Sequence, residues 1–158
     1  EINNLGDRIT FINDDIKNFV KDKDNYVDMI VCNPPYFKYD ENNKINESIE
    51  KRIARHEVCI NIDEICDCAS RILKDNGKLC IVHRTDRLIE IIEKMKKNNI
   101  EPKRIQLIYP KANSDSNLVM VDGRKNGKYG LKFLKPLIVH NEDGSYTEEI
   151  QKMFGKDN

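Results

Sequence analysis

Apolar positions along this 158-residue chain follow two rhythms, one of period two and one close to 3.6. Arg8-Ile-Thr-Phe-Ile12 alternates and stops at Asn13-Asp14-Asp15, which predicts a strand running into an acidic loop. Lys17 to Lys23 reads as a short helix. Met29-Ile30-Val31-Cys32 is an unbroken apolar run with the length and β-branched content of a buried strand. It is followed by Asn33-Pro34-Pro35-Tyr36 and then by a polar stretch without periodicity, Asp40 to Ser48, expected to be a loop near the strand's end. Ile62, Ile65, Ala69, Ile72 and Leu73 have helical spacing, with Asn61 or Asp63 as N-cap and Gly77 just past the end. Lys78 to His83 is the next predicted strand. Asp86 is placed to cap a helix whose apolar face is Leu88, Ile91, Ile92 and Met95. A strand is expected over Arg104 to Tyr109. Asn117 to Asp122 and Leu131 to Leu134 flank Asn126-Gly127, a strong hairpin signal. Strands alternating with helices and closing on a hairpin predict an α/β fold, its sheet mostly parallel with one antiparallel strand.

The stop after Cys32 carries the chemistry. Two successive prolines cannot continue a central strand, because each lacks an N–H and has φ fixed near −65°. Asn33 and Pro34 each precede a proline and are pushed toward extended backbone. A stiff loop therefore stands at a strand's C-terminal end, where open α/β sheets place their ligands. The Asn33 side-chain oxygen and the Pro34 carbonyl are neutral acceptors, and Tyr36 offers a ring for stacking. This set suits a planar exocyclic amine. Such a nitrogen is a poor nucleophile while its lone pair is conjugated with the ring. Two acceptors on its hydrogens favour a more tetrahedral nitrogen and stabilise the positive charge that develops as it attacks an electrophilic methyl. No general base is needed before transfer. A flipped-out base costs a few kcal/mol to unstack, and stacking on an aromatic returns about 1–3 kcal/mol.

Asn-Pro-Pro-Tyr after an apolar strand resembles motif IV of the class I amino-methyltransferases that use S-adenosylmethionine. Ile53-Ala54-Arg55-His56-Glu57, Val82-His83-Arg84, Glu101-Pro102-Lys103-Arg104-Ile105, Pro136-Leu137 and Asp143-Gly144-Ser145-Tyr146-Thr147 follow in order. Together they are similar to the bacterial tRNA adenine-N(6) methyltransferases that modify the adenosine beside the anticodon of a valine tRNA, over nearly all of the chain. The resemblance implies a Rossmann-like class I sheet, S-adenosyl-L-methionine as cofactor and tRNA as partner. It implies base-gripping roles for Asn33, Pro34 and Tyr36, with Pro35 fixing the loop and Phe37 extending the pocket wall. Asn33 also faces the cofactor, and Asp15 matches an acidic residue near the cofactor's adenine amino group; a helix N-cap is the other reading of Asp15. No glycine-rich strand-to-helix loop occurs, and Glu1 to Arg8 reads as the end of a helix and a turn. In the family resembled, the cofactor-binding strands precede this point, so residues 1–158 are expected to be the C-terminal portion of one methyltransferase domain.

Composition changes this picture little. Lys+Arg and Asp+Glu are 27 each, a net charge of zero, so any RNA contact must come from local patches. The best is Lys51-Arg52 with Arg55-His56, where Arg52 and Arg55 are candidates for phosphate or base contact; a solvated helix face paired with Glu47, Glu50 and Glu57 is the alternative. Arg124-Lys125 with Lys128 is a second basic cluster. Five cysteines match no zinc spacing, and the three histidines are scattered, so no metal site is expected. Buried thiols and no apolar run long enough for a bilayer fit a cytoplasmic monomer. Other classes that share the tetrapeptide or the composition are a DNA amino-methyltransferase, a protein-glutamine methyltransferase and a non-catalytic RNA-binding module.

Overall fold

The structure is a computed structural model and describes residues 6–35 and 61–155. Its frame is a six-stranded sheet in the order β1-β2-β4-β3-β5, with β6 also on β3. The strands are β1 (Val27–Cys32), β2 (Leu73–Arg84), β3 (Ile100–Tyr109), β4 (Leu118–Lys125), β5 (Lys132–Phe133) and β6 (Leu137–Ile138). β1 runs parallel to β2, while β5 and β6 run parallel to β3. Only β4 is reversed, lying antiparallel between β2 and β3. The predicted sheet of mostly parallel strands with one antiparallel member is therefore present.

The hairpin is not where Asn126-Gly127 predicted it. Both edges of β4 are bonded, one to β2 and one to β3, so it has no edge left for residues 131–134. Asn126 does sit in the left-handed region at φ 54, and the Gly127 N–H donates to the Arg124 carbonyl at 3.1 Å. The chain then passes the start of β3 and rises along its far side, pairing Lys132 with Arg104 and Phe133 with Ile105 in parallel. The antiparallel partner of β4 is instead the preceding strand, β3.

Two helices cover one face. α2 (Ile62–Ile72) opens with a reciprocal cap: Asn61 Oδ1 accepts the Glu64 N–H at 2.9 Å and Glu64 Oε2 accepts the Asn61 N–H at 3.1 Å. It buries Ile62, Ile65, Cys66, Cys68, Ala69 and Ile72. α3 (Leu88–Lys97) buries Ile91 and Met95 completely against Leu79, Ile81, Ile105, Val119 and Val121. Asp86 does not cap α3, which starts from a 3-10 turn (Thr85–Arg87) with no side-chain cap bond. Its carboxylate takes the Arg84 guanidinium instead. α1 (Ile16–Phe19) packs through Val20 on Cys68 and Ile72 and on Val27 and Ile30.

Gly77 is not a helix cap. α2 ends at Ile72 and β2 begins at once, with a bulge in which the step Val27 to Met29 is matched by Leu73 to Lys78. A Cβ on Gly77 would lie 2.8 Å from the Lys74 carbonyl oxygen, so the bulge closes only around glycine. Residues 8–12 form no strand. Among the described residues no backbone pairs with them, and Ile9, Phe11 and Ile12 are exposed, Phe11 to 91%. β1 is likewise not a fully buried strand. Ile30 and Cys32 pack on the core, while Met29 and Val31 point to the opposite face and are 51% and 71% exposed.

Gly123 on β4 lies beneath α3. A Cβ there would fall 2.4 Å from Met95 Cε, 2.9 Å from Ile100 Cγ2 and 3.0 Å from the Glu101 carbonyl. Gly123→Ala is predicted to cost about 1–3 kcal/mol in urea unfolding. Combined with Met95→Ala, the double substitution should cost at least ~0.5 kcal/mol less than the sum. Strict additivity would mean that the methyl presses on β3 and not on the helix.

Candidate active site at the carboxyl edge of the sheet

Four parallel strands, β1, β2, β3 and β6, end on one edge, and their outgoing loops leave there. Asn33-Pro34-Pro35 leaves β1 at this edge, as the sequence predicts. Pro34 is buried, while Asn33 and Pro35 are exposed. β1 and β2 are in register with Cys32 opposite Ile81. Continued by one and two residues, that register sets Asn33 level with Val82 and Pro34 level with His83. Among the described residues nothing donates to the Pro34 carbonyl. The next residue, Pro35, has no N–H to turn back on it.

β2 supplies the other wall. His83, 8% exposed, accepts the Arg84 N–H on Nδ1 at 2.8 Å, which places the ring proton on Nε2. Burial, with Arg87 beside it, holds the His83 imidazole below its ordinary pKa and so neutral. Arg84 is held by Asp86 through Nε at 3.2 Å and Nη2 at 2.9 Å. Thr85 Oγ1 meets Ser116 Oγ at 3.1 Å, and the Ser116 hydroxyl also reaches the Ile108 and Leu118 carbonyls, tying the loop after β3 to the end of β2. The Thr85–Ser116 link spans 31 residues and no local pattern announces it.

Asp15 is the N-cap of α1, accepting the Lys17 N–H on Oδ1 at 2.8 Å. The capping reading is thus realised, and the exposed carboxylate keeps acceptor capacity on Oδ2, 3.8 Å from Lys17 Nζ. Through Val20 its helix packs on β1, the strand that carries Asn33. Tyr36, Phe37, Arg52 and Arg55 lie outside the described residues, as do Lys51, His56 and the polar stretch 40–48. The Asp-Gly-Ser-Tyr-Thr segment is a turn followed by a helix cap. Asp143 Oδ1 accepts the Ser145 N–H at 2.9 Å, and Thr147 Oγ1 caps α4 (Glu148–Met153) while donating to the Ile138 carbonyl. Among the described residues the thiols are held in their protonated form: burial raises the Cys32, Cys68 and Cys80 pKa values and, with Asp63 nearby, pushes Cys66 up to about 12. Among the described residues no group of His, Cys, Asp and Glu is arranged to hold a metal ion, and no helix is long and apolar enough to cross a membrane.

An S-adenosylmethionine molecule would need neutral or anionic acceptors near its cationic sulfonium and adenine amine. The exposed Asn33 amide and Asp15 carboxylate provide these on one strand–helix unit, so the donor set fits that end of the group.

No family model matches the chain. A tRNA1(Val) (adenine(37)-N6)-methyltransferase of Flavobacterium psychrophilum is 33% identical over 76 residues, 48% of this chain and 31% of the relative. The enzyme of that name from Aliivibrio salmonicida is 24% identical over 125 residues, 78% of this chain and 51% of the relative. The chain thus spans from 31% to 51% of the length of the curated relatives it matches. Among solved structures, a predicted O-methyltransferase from Agrobacterium tumefaciens superposes with a TM-score of 0.64 at 21% identity, covering 85% of this chain and 53% of the other. A Thermus thermophilus protein assigned as a DNA modification methylase and crystallised with S-adenosyl-L-methionine gives 0.50 at 15%, covering 87% and 57%.

The fold is a Rossmann-like methyltransferase fold.

Because the folded chain disfavours the imidazolium of His83, the unfolded chain takes up that proton first. Stability is therefore full above about pH 6.5 and is lost as pH falls through the lower folded value, at no more than about 1.4 kcal/mol per pH unit. Asp63, Asp143 and Glu148, held below their ordinary values by hydrogen bonds, titrate at lower pH and leave this window clear. In urea unfolding between about pH 7.5 and pH 5, His83→Gln should flatten the profile. An unchanged slope would place the proton uptake elsewhere.

Proposed function

We propose that the protein acts in S-adenosylmethionine-dependent methylation of the exocyclic amino nitrogen of adenine in tRNA. The observation that carries this is the position of Asn33-Pro34-Pro35 at the carboxyl end of β1 in a Rossmann-like methyltransferase sheet. The names of the curated relatives favour tRNA, and an adenosine of the anticodon loop, as the acceptor.

Asn33 Oδ1 and the Pro34 carbonyl accept the two amino hydrogens of the flipped base. Both are neutral acceptors on a loop that two prolines hold stiff, so they lose little freedom when the base arrives. As the nitrogen becomes tetrahedral and gains charge, both bonds strengthen, which lowers the barrier more than it tightens ground-state binding. Tyr36 stacks on the base and offsets the cost of flipping, with Phe37 beside it. Bound S-adenosylmethionine would supply the electrophilic methyl, with Asn33 and Asp15 as the residues that would hold it; the methylated nitrogen sheds one of its protons to water once the C–S bond has broken. Arg52 and Arg55 contact the RNA backbone or its splayed bases.

In the complete polypeptide containing these residues, Asn33→Ala should lower kcat on tRNA by at least ~10²-fold while tRNA affinity changes little. Radiolabelled S-adenosylmethionine and nucleoside analysis of the product read this directly. Equal losses in kcat and affinity, or label found on DNA or glutamine instead of N(6)-methyladenosine, would sink the proposal.

A further inference from the structure

The chain is neutral overall, yet residues 123–141 contain five cations and no Asp or Glu. The structure divides these cations into two groups. Arg124 Nη1 donates to the Asn76 carbonyl at 2.9 Å, and Lys125 Nζ reaches Asn25 Oδ1 at 3.0 Å and the Leu73 carbonyl at 2.8 Å. These two brace the bulge of β2. Lys128, Lys132 and Lys135 are exposed, and among the described residues none has a carboxylate partner. Glu101 and Asp122, the only carboxylates of β3 and β4, are already paired with Lys96 and Arg104. Lys103 joins the group, its Nζ bonded to the Lys128 carbonyl at 2.8 Å.

Aromatic rings are interleaved with these lysines. Tyr129 is 87% exposed, with Lys96 Nζ 5.1 Å from its ring centroid, and Phe133 is 69% exposed. Lysines on a short edge strand such as β5 are explained by protection against edge pairing. Exposed rings at the same place work against that protection and call for a partner. Exposed ammonium groups without carboxylate partners, on the same short segment as exposed rings, match a single-stranded or looped nucleic acid, whose phosphates meet the lysines and whose bases stack on the rings.

The sheet relates this surface to the Asn33 loop. One row of paired residues crosses it from Cys32 through Ile81, Val121 and Ile105 to Phe133. Four strand spacings separate Phe133 from Cys32, about 19 Å.

We infer that Lys103, Lys128, Lys132 and Lys135, with Tyr129 and Phe133, form an RNA-binding surface on the β5 edge that grips the substrate RNA at a distance from the reacting base. The choice of RNA as occupant rests on the methyl-transfer proposal; the cation–ring surface itself does not.

The test is filter binding of an RNA stem-loop to the protein over a range of salt concentrations, with methyl transfer to tRNA measured in parallel and folding checked by circular dichroism. The triple substitution Lys128→Gln, Lys132→Gln, Lys135→Gln should weaken binding at least ~10-fold and reduce the salt slope by about 2. Tyr129→Ala with Phe133→Ala should weaken binding about 5-fold or more and leave the slope unchanged. Wild-type affinity and slope in the triple variant overturn the assignment. Binding that depends on the rings but not on the lysines or salt also overturns it, in favour of a protein partner. RNA held through these lysines without any methyl transfer by the unsubstituted protein would overturn only the methyl-transfer proposal and support the surface. Transfer at unchanged KM for tRNA in the triple variant would overturn only the surface.

Discussion

β4 is hydrogen-bonded along its length on both sides, to Lys78–Arg84 of β2 and to Ile100–Ile108 of β3. Leu118 stands opposite both Arg84 and Ile108, and Ile108 in turn opposes Leu137 of β6. One reversed strand thereby aligns the ends of β2, β3 and β6 and sets their outgoing loops along one edge. Its inward residues Val119 and Val121 are completely buried, and Gly123 lets α3 approach closely. The positions of His83, Ser116 and Phe133 follow from this wedge. His83 lies one pair below Arg84, the loop after β3 reaches Thr85 through Ser116, and the row through Val121 carries the sheet from Cys32 to Phe133.

The features legible in the sequence are those settled within a few residues. The apolar stripes of α2 and α3, the Asn61–Glu64 cap and the stop imposed by two prolines need no knowledge of distant chain. The misreadings, that of Asp86 apart, concern pairing across the fold. Asn126-Gly127 has the local chemistry of a hairpin turn and adopts it, but strand pairing is settled by which edges are free, and β4 has none. Asp86 is a plausible cap until Arg84, two residues back, offers a forked cation. Gly77 looks like a helix terminator because its real constraint, the carbonyl of Lys74 across a bulge, exists only once β2 has paired with β1. Residues 8–12 alternate like a strand, and alternation alone supplies no partner backbone.

Charge was legible in total and misleading in detail. Equal numbers of acids and bases argue against nucleic acid when summed over the chain. The acids, however, are spent where they brace the fold: Asp63 on Lys94 and Lys97, Asp122 on Arg104, Glu101 on Lys96. Arg124 and Lys125 look from sequence like part of one patch with Lys128, yet the first two are turned into the sheet. A field that acts on a long polyanion depends on the cations left unpaired and on their grouping, and net charge does not measure either.

Under the proposed methyl transfer, the carboxyl edge and the β5 edge divide two incompatible demands. A nitrogen that becomes positive as it attacks is best met by neutral acceptors, because a nearby cation would raise the barrier. Burial and ion pairing keep the described groups on β1 and β2 and behind them without net charge. The His83 imidazole is held in its uncharged form, the Cys32 and Cys66 thiols stay protonated, and Arg84 is neutralised by Asp86. Holding a polyphosphate backbone requires the opposite, unpaired cations exposed to solvent. Placing those lysines some four strands away keeps their charge beyond about one Debye length of the reacting base at physiological salt. An RNA held at the β5 edge, as proposed, would then be gripped without its lysines imposing their field on a cation forming beside Asn33.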